Sequence, residues 1–224
     1  MTNSETSEEL LKACYNPGTT PPQIEELIKA GAELEARDSR GWTPLLFAVG
    51  HITNPEVISV LINSGAELEA GSEEGMTPLM CAASYATNPE VISVLIKAGA
   101  KIEGRGCLGA TALIAAARMN TNPEFVSVLI NSGAKLDARD EDGGTALISA
   151  VYNTNPEVIS VLINSGAKLD ARDEDGDTAL DRVVSLEKHY RQDKTGKFLF
   201  APRGHSRDTC LKIISLLKEA YASK

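Results

Sequence analysis

The 224-residue chain predicts an all-α solenoid of helix-turn-helix units joined by β-turn fingers. Three observations predict it. The threonines Thr43, Thr77, Thr111, Thr145 and Thr178 recur at steps of 34, 34, 34 and 33 residues. The glycines Gly31, Gly65, Gly99, Gly133 and Gly166 keep the same step. Aromatic content is 4% against 42% hydrophobic residues, so the core is built on small aliphatic side chains. A fixed period near 33 marks stacked supersecondary units, each too small to bury its own core.

Taken in order, residues 4–15 (SETSEELLKACY) read as a first helix. Ser4 is the expected N-cap, and Glu5, Glu8 and Glu9 sit near the positive end of the helix dipole. Asn16-Pro17-Gly18 breaks it. Pro21 and Pro22 open a second helix, which ends at Gly31. This pair lacks the threonine motif and carries polar residues, as an end cap of a stack must.

Each full unit begins with Thr-Pro or Thr-Ala before an apolar stretch such as Leu45, Phe47, Ala48 and Val49. Proline fits the first helical turn, whose N–H groups have no acceptor within the helix. A second helix follows at Asn54, Asn88, Asn122 and Asn155, each in Asn-Pro-Glu. The asparagine caps and the glutamate complements the dipole. VISVLI or FVSVLI behind it is apolar nearly all round and belongs between neighbours. Such a helix of about ten residues is marginal alone, so stacking must stabilise it. The terminal glycine closes it as a left-handed cap. The stretch that follows (ELEARDSRGW in the first unit) alternates and then reaches a glycine, which suggests a strand, a turn and a return strand.

Here the chain resembles the ankyrin repeat family. The resemblance is carried by Thr43-Pro44-Leu45 with Ala48, Thr77-Pro78-Leu79 with Ala82, Thr111-Ala112-Leu113 with Ala116, and Thr145-Ala146-Leu147 with Ala150. A glycine stands two residues before each threonine (Gly41, Gly75, Gly109, Gly143), and each second helix ends in Gly-Ala. The implied arrangement is a single domain with an N-cap repeat over 4–40, full repeats over 41–74, 75–108, 109–142 and 143–175, and a C-cap over 176–224. The chain departs from the family in two respects: an extra residue lengthens the link between the two helices in three repeats, which gives the period of 34, and the histidine position is changed. The position after the leucine, usually histidine, holds Leu46, Met80, Ile114, Ile148 and Asp181, so apolar packing is expected there. Repeats three and four share an identical run of 16 residues, Val128–Gly143 and Val161–Gly176.

The resemblance implies a protein–protein interaction scaffold whose fingers and first helices line a concave groove. Carried over by position, the expected partner-binding residues are Trp42, His51, Met76, Tyr85, Arg118, Met119 and Tyr152, with the acidic tips Glu141, Asp142, Glu174 and Asp175. Tryptophan, tyrosine, methionine and arginine are the types enriched at interface centres. The plain alternative is that Trp42 and Tyr85 pack only on neighbouring fingers, and that the acids are a solvated edge.

The net charge of −9 is unevenly spread. Residues 1–187 carry 13 Lys/Arg against 28 Asp/Glu, a balance of −15, and residues 188–224 carry 9 against 3, a balance of +6. An acidic body repels phosphates, which excludes nucleic acid along it. The C-cap carries a basic insert at 191–206, with Phe198 and Phe200 within it. An insertion of this size in a compact array is disordered or functional. It supports the alternative function: a targeting or assembly element that docks an acidic partner, an oligomer mate or an anionic membrane surface.

No apolar run reaches a membrane-spanning length of roughly 18 residues, and the acidic N-terminus is no secretory signal. Cys14, Cys81, Cys107 and Cys210 form no CxxC pair and read as isolated thiols in a reducing compartment, which predicts a cytoplasmic location, in its own cell or in one it is delivered into; the oligomeric state is left open, with a monomer favoured. DEDGD places its glycine at the wrong step for a calcium loop, and GRGCLG lacks the Lys-Ser/Thr of a phosphate loop. The histidines lie far from any cysteine in repeat number; His189 and His205 share the insert with no expected nucleophile beside them. The sequence therefore predicts no enzyme, cofactor or metal.

Overall fold

A computed structural model describes residues 2–192 and 205–223. The chain forms two compact units, residues 1–107 and 108–224. Most of the basic insert, with Phe198 and Phe200, lies outside the described residues.

The first unit holds α1 (Asn3–Tyr15), α2 (Pro21–Lys29), α3 (Pro44–His51), α4 (Pro55–Asn63), α5 (Pro78–Tyr85) and α6 (Glu90–Lys97). Helices α1, α3 and α5 pack in one row and α2, α4 and α6 in a second, each pair joined across the rows. The sequence explains where these helices begin. Thr43 is fully buried, and its hydroxyl accepts from the Leu46 N–H at 3.3 Å. Asn54 accepts from the Glu56 N–H at 2.9 Å. At the end of α4, Gly65 takes φ +104°, and the Gly65 and Ala66 N–H groups donate to the Ile62 and Leu61 carbonyls. A side chain at that backbone angle would be strained, which is why the period is marked by glycine.

The second unit holds α7 (Ala112–Met119), α8 (Pro123–Asn131), α9 (Ala146–Ala150), α10 (Glu157–Asn164), α11 (Ala179–Gln192) and α12 (Arg207–Ala222). Helices α7, α9 and α11 form one row and α8, α10 and α12 the other. Phe125 on α8 is fully buried, and burying such a side chain contributes about 1.5–3 kcal/mol. Asn153 is buried after α9 and donates to the Ala117 and Asn120 carbonyls, both at 2.9 Å.

Two expectations need correction. The first helix is capped by Thr2, not Ser4. The Thr2 hydroxyl accepts from the Glu5 N–H while the Glu5 carboxylate receives the Thr2 N–H. The fingers contain no strand among the described residues. In the first finger, Asp38 N–H donates to the Trp42 carbonyl and Gly41 N–H to the Asp38 carbonyl, which closes a turn and leaves no ladder. One bond then links it to the next finger, from the Glu73 N–H to the Arg40 carbonyl.

Four of the five positions that usually hold histidine pack as expected, with Leu46, Met80, Ile114 and Ile148 buried; the fifth, Asp181, does not, because its carboxylate stays at the surface and accepts from the Thr178 N–H and hydroxyl at 3.0 and 2.8 Å. The bracing of the finger base comes from arginine instead. Arg37 donates to the Gly41 and Gly71 carbonyls at 2.9 and 2.8 Å. Arg139 does the same for Gly143 and Arg172. Packing is tight where Gly106 lies: a Cβ there would collide with the Gly75 carbonyl oxygen and the Met80 sulfur.

Candidate interaction surfaces

In the first unit the aromatic residues form a row. Trp42 is half-buried at the finger base, its ring 5.2 Å from Phe47. The Arg40 guanidinium lies 5.1 Å above Trp42 and is held by Asp38 at 3.2 Å. Asp38 also orders the turn. Burial favours its neutral form, but the Trp42 and Arg40 N–H groups outweigh this and hold the carboxyl below its ordinary value. Phe47 continues to His51, and His51 lies 4.4 Å from Tyr15.

The last residues of α1, α3, α5 and α7 are Tyr15, His51, Tyr85 and Met119. Tyr15, Tyr85 and Met119 are 57%, 48% and 51% exposed, so this position presents a large side chain to solvent in α1, α5 and α7. Burial, with Cys81 and Glu74 nearby, raises the Tyr85 hydroxyl. Met76 is half-buried at the second finger, its N–H 3.3 Å from the Ser72 hydroxyl. Repeat-by-repeat comparison misses Tyr15, which precedes the first threonine motif. Its signal was its place as the last residue before the Asn16-Pro17-Gly18 break.

In the second unit a cavity of about 350 Å³ opens between the fingers and first helices. It brings together five predicted residues, Arg118, Asp142, Tyr152, Glu174 and Asp175. The Arg118 guanidinium lies 5.3 Å from the Tyr152 ring centroid. Met119 and Glu141 are exposed beside this set. The Glu141 N–H donates to the Leu108 carbonyl, and the Glu174 N–H to the Asp142 carbonyl, so finger is tied to finger.

Sequence reading missed Arg182 of α11, which clamps the last finger. Its Nε donates to Asp173 at 2.6 Å and its Nη2 to Asp175. Burial pushes the Asp173 carboxyl up, but the Arg182 bond and the Asp177 N–H outweigh this and hold it below its usual range. The same Asp173 bond, against the cost of burial, raises Arg182. The acidic edge is thus partly neutralised by the cap.

One expectation about cysteine chemistry is corrected: His205 does have a thiol near it. Cys210 Sγ lies 3.9 Å from His205 Nδ1. The thiol is fully buried, and burial, then Glu187, pushes it up to about 11. Burial lowers His205, opposed by its bond to the Val151 carbonyl. These shifts favour thiol beside neutral imidazole, the opposite of an activated nucleophile. Burial likewise pushes Cys14 and Cys81 up to about 12. Among the described residues no group of three or more His, Cys, Asp or Glu side chains could hold a metal ion. No described helix is long and apolar enough to cross a membrane.

No curated protein matches the chain in sequence. The family model for ankyrin repeats (3 copies) matches residues 10–106, 88–173 and 113–202. With its threonine-capped helices, glycine-closed second helices and turn fingers, the chain belongs to the ankyrin repeat family, whose members are generally protein–protein interaction modules.

Proposed function

We propose that this chain is a non-catalytic scaffold that binds a partner protein through its finger tips and the ends of its first helices. The observation that carries this reading is the repeated exposure of large side chains at one position of the fold: Tyr15, Tyr85 and Met119 end three of the first helices, α1, α5 and α7, in solvent. Trp42, His51 and Met76 extend that set on the first unit. Arg118, Tyr152 and the acids Glu141, Asp142, Glu174 and Asp175 extend it on the second. These residues stand on capped helices and cross-linked turns, so little ordering is required when a partner binds. Four free thiols, three of them buried, support a reducing compartment such as the cytoplasm.

The test is affinity capture from lysate, identification of the retained protein, and calorimetry with that protein purified. Three variants are compared with wild type after circular dichroism has shown that they fold. They are Trp42→Ala with Tyr85→Ala, Arg118→Ala with Tyr152→Ala, and residues 191–204 replaced by a Gly/Ser linker. At least one double variant is expected to lose about tenfold or more in affinity, and the linker variant to bind as wild type. Loss confined to the linker variant would overturn this reading in favour of a targeting role for the basic insert.

A further inference from the structure

The fourth repeat is one residue short. Thr43, Thr77 and Thr111 each precede the capping asparagine by 11 residues, whereas Thr145 precedes Asn155 by 10. The missing residue changes how the first helix ends. Helices α3, α5 and α7 close with i→i−4 bonds, from Ile52 to Ala48, Ala86 to Ala82 and Asn120 to Ala116. Helix α9 stops after five residues. Val151, Tyr152 and Asn153 then donate three residues back, to Ile148, Ser149 and Ala150. This tightened turn leaves C-terminal carbonyls that need partners from outside the helix.

Val151 is fully buried, so water cannot easily serve its carbonyl. His205 serves it, with Nε2 3.0 Å from the Val151 oxygen. A carbonyl only accepts, so Nε2 must carry the proton, and in a neutral ring Nδ1 is then an acceptor. Around Nδ1 stand the Tyr190 hydroxyl at 3.2 Å, which also donates to the His205 carbonyl at 3.3 Å, and the Cys210 thiol at 3.9 Å. The Tyr190 ring stacks on the imidazole with centroids 6.0 Å apart. His205 is therefore held from three helices: α9, α11 through Tyr190, and α12 through Cys210.

The titratable groups in contact with it are Tyr190 on α11 and Cys210 on α12, and the end of α9 presents the Val151 carbonyl; behind Cys210 stands Glu187 of α11, bonded to Arg207 of α12. Glu187 is buried and takes a hydrogen bond from Arg207 at 2.7 Å. An imidazolium here would direct its second N–H at neutral, weak acceptors, the phenol oxygen and the thiol sulfur, while the Glu187 carboxylate is engaged by Arg207. The next residue after Val151 is Tyr152, on the cavity wall beside Arg118, and Arg182 reaches that cavity from α11.

We propose that His205 is a pH-sensitive tether: neutral, it fastens the C-terminal helix pair to the end of α9 and fixes Tyr152 in the candidate binding surface; protonation favours the opened state, in which both are released, because the half-buried pocket serves the charge poorly although Nε2–H can still reach Val151. The part concerning the binding surface rests on the function proposed above, and the tether itself does not. Burial supports the direction, since it places the folded-state value of His205 below its ordinary one. A histidine lowered by folding contributes stability that is fully present above its unfolded value, about 6.5, and declines as pH falls below it.

The experiment uses the full chain without a partner, so its outcome is independent of the binding reading. Nitrogen-detected imidazole correlations across pH are expected to give the Nε2–H tautomer for His205 and a midpoint below about 6.5. Hydrogen exchange, corrected for intrinsic rates, is compared at about pH 7.5 and 5.5. Residues 148–153 and 207–222 of wild type are expected to exchange about fivefold faster at the lower pH. His205→Gln can still donate to Val151 but cannot titrate, and is expected to abolish that acceleration; His189→Gln is expected to retain it. An Nδ1–H tautomer, a midpoint at or above the ordinary value, or acceleration that persists in His205→Gln would overturn the tether. Should His205→Gln fail to fold, the wild-type tautomer and midpoint decide.

Discussion

Arg182 and Asp173 are separated by nine positions and two turns of chain, and their pairing turns an acidic edge into an anchored one. The Asp173 side chain is 4% exposed and that of Arg182 27%. Removing the guanidinium leaves a buried carboxylate with backbone donors alone. Replacing Arg182 by glutamine is expected to lower unfolding stability at pH 7 by about 1.5–3 kcal/mol, read from urea midpoints. The folded carboxyl lies below its unfolded value. Its stabilisation is therefore present above roughly pH 4 and is lost as pH falls through the folded value. The gap between wild type and variant should close in that acid range, and a gap constant down to about pH 3 would contradict the assignment. The sequence shows Asp173, Glu174, Asp175 and Asp177 as a run of acids. That Arg182 neutralises part of it depends on α11 packing under the finger, which no local pattern encodes.

The asparagine caps do two kinds of work at the level of the helix. Asn54 accepts the Glu56 N–H at 2.9 Å. Asn88 accepts the Glu90 N–H at 3.0 Å and also donates to the Thr53 carbonyl of the preceding repeat at 3.0 Å. Asn54→Ala is expected to cost about 1 kcal/mol, the usual value for a lost cap. Asn88→Ala should cost about 2 kcal/mol, because a hydrogen bond between repeats goes with it. Equal losses in chemical denaturation would show that the inter-repeat bond contributes nothing. The cap was legible because Asn-Pro-Glu is local, while its second bond spans 35 residues. The fingers were misread as strands for a related reason. Alternation in ELEARD mimics a strand, but the chain turns back at once, and the bonds a ladder would supply come from Arg37 and the neighbouring finger.

Across the whole molecule the charge is −9, and in the second unit acids crowd the finger tips. Such a field favours a basic partner face and acts chiefly on association. For a partner identified by capture, neutralising Glu141, Asp142, Glu174 and Asp175 to their amides is expected to slow association about tenfold at low salt, with a smaller change in dissociation. The difference should shrink in high salt, where exposed charges are screened. An association rate unchanged by the four substitutions would show that the tips are only a solvated edge. Stopped-flow or surface-based kinetics at several ionic strengths reads both outcomes.

The sequence by itself determined the repeat period, the helix pairs, their threonine and asparagine caps and the glycines that close them. Those features are set by the φ/ψ and hydrogen-bonding needs of a few consecutive residues, and the same need recurs at a fixed step. Only the tertiary structure decided which distant groups meet: Arg37 with Gly71, Tyr15 with His51, Arg182 with the last finger, and His205 with Val151 across 54 residues. These are long-range pairings made where packing leaves a buried carbonyl, carboxylate or ring in need of a partner. Whether a side chain supplies it depends on where the stacked helices bring that side chain.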